Sequence, residues 1–217
     1  MDTPIGRPCE LQANEDGERF VTQWVEDVEG GRQRGLRGLA LAWVEIIVRP
    51  RTFFEEGVAP GDQGPGLTFA IAVVLLSQAT RFAVGTDGYT VLGGQPLLSG
   101  AFWLAAVAVL VAPVALHVTA ALQTLLLAAG TDERGGVSET VQVLAYASAP
   151  CVAVGVPIPP MQVAVAAWAC GLYVLGLSTV HELHPARAAV LGAVPAVVAY
   201  GYGFRAVGAL RALLVGS

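Results

Sequence analysis

From residue 67 onward the chain is a succession of long apolar runs broken by short polar or proline-bearing stretches, and few folds accept such a pattern. About 20 apolar residues in a helix cross the roughly 30 Å hydrocarbon core of a bilayer. Inside that core every backbone polar group needs an internal partner, which leaves helices for runs with no two-residue alternation. The runs are Leu67–Val84, Ala101–Ala129, Val137–Val156, Met161–Val180 and Ala186–Phe204. The fold class is therefore all-α, an integral membrane bundle of five transmembrane helices, with membrane lipids as its surroundings. Charge agrees. Charged residues make up 13% of the 217, against about 25% in soluble domains. Residues 1–66 hold 7 of the 12 basic and 12 of the 17 acidic side chains, leaving 5 and 5 for the spans and their connections. A net charge of -5 argues against a nucleic-acid partner, which demands a basic patch.

Ahead of the spans, residues 1–34 read as a polar, mobile tail with room for a short amphipathic helix at Arg19–Val28. No basic start followed by an apolar run occurs in the first 30 residues, so no cleavable signal is expected and the first span directs insertion. Residues 35–66 form an interfacial helix and loop. Gly35–Arg49 has a broad apolar face, with Arg37, Glu45 and Arg49 on one side and Glu45–Arg49 at i,i+4. It is too short and too charged to span. Two readings stand: an amphipathic helix at the cytoplasmic interface with Trp43, Arg49 and Arg51 as anchors, or an ordinary helix packed on the bundle. Pro50 stops this helix, and Thr52–Phe53–Phe54–Glu55 has capping-box form for a further turn. Ala59–Gly66 is a loop and 205–217 a short C-terminal helix at the surface. Placing the N-terminus inside puts nine Arg in the cytoplasm (Arg7 to Arg51, Arg134 and Arg187) against Arg81, Arg205 and Arg211 outside. The expectation is a multi-pass protein of the cytoplasmic (cell) membrane with its N-terminus inside and its C-terminus outside.

Chemistry has few footholds. His181–Glu182–Leu183–His184 falls one residue short of a zinc-protease HExxH and sits against Pro185, so it reads as a solvated loop. Cys9, Cys151 and Cys170 match no disulfide framework or zinc spacing, and the two in spans read as small packing residues. No nucleophile elbow, P-loop or dinucleotide glycine pattern occurs, so no catalytic, cofactor or metal residue is assigned. The candidates are polar residues within the spans: Gln78, Arg81, His117, Gln142 and Tyr146, with Gln123 and Ser148 beside them. Two roles stand open for them, polar glue between helices or a proton or substrate pathway. His117 lies four residues after Pro113, where an imidazole N–H can satisfy a carbonyl freed by the expected kink. The small-xxx-small pairs Ala167/Gly171 and Gly192/Ala196 invite close helix approach.

Three stretches carry a resemblance. They are the Arg49–Phe54 entry before the first span; Glu139–Thr140 with Ala145–Tyr146–Ala147–Ser148 and Pro150, closed by Ile158–Pro159–Pro160; and Trp168, Gly176–Leu177 and His181. Together they resemble the Yip domain family, the Ypt/Rab-interacting membrane proteins, and their prokaryotic relatives, over residues 35–204. The resemblance implies a five-span membrane domain and, in eukaryotic members, membrane traffic and prenylated small GTPases. This chain departs in lacking their acidic-aromatic N-terminal motif, and Tyr200–Phe204 matches their Gly-Tyr pattern loosely. The resulting expectation is a non-enzymatic scaffold or adaptor whose partner is another membrane or cytoplasmic protein. The alternative is a small-molecule or ion transporter or channel-like protein.

Overall fold

The computed structural model describes residues 35–85, 89–131 and 135–216. The tail 1–34, with the expected Arg19–Val28 helix, and residues 132–134 of the Thr131–Gly136 turn lie outside these. Among the described residues all regular structure is helical: α1 (Leu36–Val48), α2 (Pro50–Glu56), α3 (Gly64–Val84), α4 (Pro96–Ala106), α5 (Ala112–Gly130), α6 (Val137–Ala147), α7 (Pro159–Val180), α8 (Pro185–Ala196) and α9 (Ala206–Val215). A π-helical turn, Val107–Val111, joins α4 to α5. A second, Val197–Gly203, extends α8, and a 3-10 helix, Ala149–Gly155, follows α6.

Among the described residues three helices are long and apolar enough to cross a membrane: Gly64–Val84, Pro96–Gly130 and Pro159–Val180. Two bent pairs complete the expected five if each is one span: Val137–Ala147 with Ala149–Gly155 (45°), and Pro185–Gly203 with Ala206–Val215 (76°). The packing is that of a membrane bundle, apolar without and polar within. Leu97, Val109, Leu125 and Val190 are exposed, whereas Gln123, Thr140, Gln142 and His181 are buried. At the centre runs α6, packed by α3, α5 and α7, and residues 140–151 are buried without interruption.

Prolines decide most boundaries: α1 ends at Val48, just before Pro50 as expected, and the prolines also open the helices that follow. Pro50, Pro65, Pro96, Pro159 and Pro185 each stand at the first or second position of a helix. There the missing N–H has no intrahelical acceptor to serve and the fixed φ suits the helix. Hence α2 begins at Pro50, which puts Thr52 inside the helix and not at its cap. By the same rule α3 begins at Gly64 and the second span at Pro96, earlier than the apolar runs indicate. Pro113 and Pro195, inside their spans, adjoin the two π-helical turns. Pro113 offers no N–H to the Val109 carbonyl, and a widened turn accommodates the ring.

Close approach is concentrated at the centre. A Cβ on Gly155 would collide with the Ser77 carbonyl oxygen, so α3 and the 3-10 helix touch backbone to backbone. A Cβ on Gly176 would meet Val143 at 2.7 Å and the Phe54 ring at 2.9 Å. Of the small-residue pairs, Gly192 and Ala196 are buried in contact with α7. Ala167 and Gly171 instead face outward, with nothing within 4 Å of a Cβ on Gly171. The terminal helix α9 packs on α7 and buries Ala206 and Ala209, more than the surface helix expected of 205–217.

Candidate functional site

The polar residues of the third span meet partners from other elements. Gln142, fully buried, mimics a peptide group: its Nε2 donates to the Ala59 carbonyl at 2.7 Å and its Oε1 accepts from the Ala59 N–H at 3.1 Å. The loop between α2 and α3 is thereby tied to α6. Tyr146 lies edge-on to Phe53 (centroids 4.9 Å) and Phe69 (5.4 Å), which seats α2 and α3 on the same ring.

At the start of α6, His181 corrects the expectation of a solvated loop. It is buried, and its Nδ1 accepts the Gly135 N–H at 3.0 Å. The proton therefore resides on Nε2, which faces Thr140 Oγ1 at 3.3 Å, and that hydroxyl donates to the Gly136 carbonyl. Burial lowers the His181 pKa from 6.5 to about 4, against a smaller opposing pull from Glu139. Leu183 is buried as well, while Glu182 and His184 are exposed and His184 accepts the Ala186 N–H at the head of α8. Among the described residues no group of His, Cys, Asp or Glu is arranged to hold a metal.

The span then breaks. Pro150 disfavours helical geometry at the residue before it and supplies no N–H, so α6 tightens into the 3-10 helix. In hydrocarbon, carbonyls that lose helical donors need substitutes. Ser148 gives its N–H to Ala145 and so leaves Leu144, whose carbonyl receives the Tyr200 hydroxyl at 2.9 Å. The indole N–H of Trp43 reaches the Ala149 carbonyl at 3.0 Å. Gln162 Nε2 lies 2.9 Å from the Val154 and 3.1 Å from the Val156 carbonyl. Trp43, expected among headgroups, is thus turned into the protein with its ring 5.2 Å from that of Phe69. Along this face α1 buries Gly38, Ala42 and Ile46, while Leu41, Val44 and Val48 are exposed opposite.

The remaining candidates are dispersed. His117 Nδ1 donates to the carbonyl of Pro113 itself at 2.7 Å, not to that of Val109, and Nε2 faces the Gln63 amide at 3.0 Å. Gln78 accepts from Arg81 at 2.8 Å, and the fully buried Gln123 accepts the Tyr173 hydroxyl at 2.8 Å. Arg49 and Arg51 are exposed around the start of α2, with Arg51 paired to Glu55 at 3.0 Å. Gln162, Tyr200 and the inward role of Trp43 escaped sequence reading. The available signal was a lone amide just after Pro159–Pro160 and two hydrogen-bonding aromatics in apolar surroundings.

One cleft of about 230 Å³ opens beside the break, bounded by α3, by the second span from Val107 to Thr119, and by residues 198–205. Both π-helical turns contribute to its wall, through Val107 and Val111 on one side and Val198, Ala199 and Tyr200 on the other. Leu144, Ala145 and Ser148 bring the break itself into the lining, and Gln78, Arg81 and Arg205 are the longest polar side chains beside Gln162. Gln78 and Arg81 thus share one site, which His117, Gln142 and Tyr146 do not line.

A family model described as the Yip1 domain matches residues 44–205. No curated protein matches the chain. No solved structure matches it either.

Proposed function

The chain belongs to the Yip1 domain family of membrane proteins, and from that premise we propose that it is a non-catalytic scaffold or adaptor. It lies in the cytoplasmic membrane with its N-terminus inside and engages another membrane or cytoplasmic protein. One observation carries this reading. Polar side chains inside the bundle bond to the backbone of other elements: Gln142 to Ala59, His181 to Gly135, Tyr200 to Leu144 and Trp43 to Ala149. Groups held in this way lock helices together; they are poorly suited to relaying protons or passing solutes.

Such a rigid body offers its partner a surface, and the face around α2 and the 181–185 loop has the right composition. Phe54 seats α2 against Gly176, five residues before His181, so the two lie near one end of α7. Arg49, Arg51, Glu55, Glu56, Glu182 and His184 are exposed there, a mixed-charge rim with no structural duty beyond the Arg51–Glu55 pair and the His184 cap. Mild crosslinking in native membranes and co-purification should enrich one protein over a control with another five-span bait. That enrichment should fall with Arg49→Glu and Glu182→Arg together. Recovery of lipid or a small molecule without a protein would overturn the adaptor reading, and flux assays of the transporter alternative would follow.

A further inference from the structure

Helix α1 is apolar on two opposite sides. It turns Gly38, Ala42 and Ile46 into the protein, while Leu36, Ala40, Leu41, Val44 and Val48 form an exposed stripe opposite. The one charge along that stripe is Arg37, in the first turn. A helix lying on a membrane surface keeps a strongly charged face toward water, and α1 has none on its outward side. A helix apolar all round belongs inside protein or hydrocarbon.

Depth decides what covers the stripe. Helix α3 has 21 residues, about 31 Å of helix, which matches a hydrocarbon core of about 30 Å from end to end. Gly64 therefore marks one boundary of that core, and Phe69 lies about 7 Å inside it by helical rise. A Cβ on Gly66 would stand 3.0 Å from Gln142, and Gly155 abuts Ser77, so the third span runs parallel to α3. Counted from Gln142, Ala149 lies about 13 Å inside the same boundary. Trp43 is fixed to both: its ring is 5.2 Å from that of Phe69, and its indole N–H reaches the Ala149 carbonyl at 3.0 Å. The backbone of α1 follows, packed against α2 and against the 3-10 helix that begins at Ala149.

We propose that α1 lies within one leaflet of the bilayer, as a helix that enters without crossing, and that its outer stripe contacts lipid acyl chains. Thirteen residues are too few to span. The stripe continues the composition of the outward sides of the spans, where Leu76, Val109, Val118 and Leu125 are exposed. Arg37 has a long apolar stem with which to reach the headgroups from the first turn. This replaces the surface position expected of α1. It goes beyond the adaptor reading and needs no protein partner.

The test places single nitroxide labels on the full chain, reconstituted in phosphatidylcholine vesicles. Cys9→Ser and Cys170→Ala remove two native thiols, and the fully buried Cys151 stays. Labels then go on Val44→Cys, on Leu76→Cys as a reference within the first span, and on Ala186→Cys as a reference in water. Oxygen concentrates in hydrocarbon and a nickel chelate in water, so the ratio of their collision rates reads depth. At Val44 that ratio should be shifted from the value at Ala186 to the side of Leu76. Nickel access equal to that at Ala186 would place the stripe in water and overturn the proposal. Protection from both reagents would overturn it too, by revealing a protein cover, either residues 1–34 or a second copy of the chain. Should Val44→Cys not fold, Leu41→Cys and Val48→Cys read the same stripe and the same outcomes decide.

Discussion

The two halves of the third span solve one problem in different ways. In α6 the backbone is a regular helix, buried on all sides, and its polar side chains reach outward to loops: Gln142 to Ala59, and Thr140 through His181 to Gly135. After Ser148 the direction reverses. The backbone is irregular and other elements reach in, with Trp43, Tyr200 and Gln162 donating to its carbonyls. The first half resembles a soluble core turned to fastening loops; the second edges the cleft. A membrane interior therefore does not require helical regularity. It requires a donor for every carbonyl, from whichever element can deliver one.

Four substitutions probe that contrast. Gly155→Val should have the largest effect, because its Cβ would enter the Ser77 backbone and separate α3 from the 3-10 helix. A loss of about 3 kcal/mol or more is expected, read as a collapse of thermal stability in detergent. Gln142→Leu acts on the regular half, strands the Ala59 N–H and leaves the Ala59 carbonyl only the long bond from the Asp62 N–H at 3.4 Å, at a cost of about 2–3 kcal/mol. Faster hydrogen exchange confined to the α2–α3 loop would distinguish it from a global loss.

The next is a matter of pH. With a folded pKa near 4 and an ordinary value of 6.5, His181 takes up a proton more readily in the unfolded chain. Stability is therefore whole above pH 6.5 and drains away as pH falls from there toward 4. His181→Gln should flatten that limb of a Tm-against-pH curve, and an unchanged limb would assign acid sensitivity elsewhere. Smallest is Tyr200→Phe, which removes one donor to Leu144 and keeps the ring, for about 1 kcal/mol. An equal cost from Tyr200→Phe and Gln142→Leu would erase the distinction between the halves.

Much of the architecture was legible because bilayer thickness and hydropathy act over whole segments. The all-α class, the span order and the Yip-type motifs around Tyr146 and Pro150 could all be read directly. What escaped depends on single contacts across long separations. Trp43 looks like an interface aromatic until Ala149, 106 residues away, is seen to need its indole. His181 looks like loop chemistry until Gly135 closes over it. Prolines read as stops because composition marks where regularity changes without saying on which side the helix lies; Pro65 and Pro96 open helices. Arg81 and Arg205 lie far apart in sequence, and only the fold brings them to the same cleft.

The interrupted span also has a consequence for biosynthesis. The chain is made from its N-terminus, so α6 and the 3-10 helix enter the bilayer before Gln162 and well before Tyr200. Until those arrive, the carbonyls of Leu144, Val154 and Val156 lack the donors they have in the finished fold. The centre of the bundle is therefore completed late, by residues from its last helices, and a nascent chain halted before Tyr200 would hold an unfinished core for insertion factors to shield.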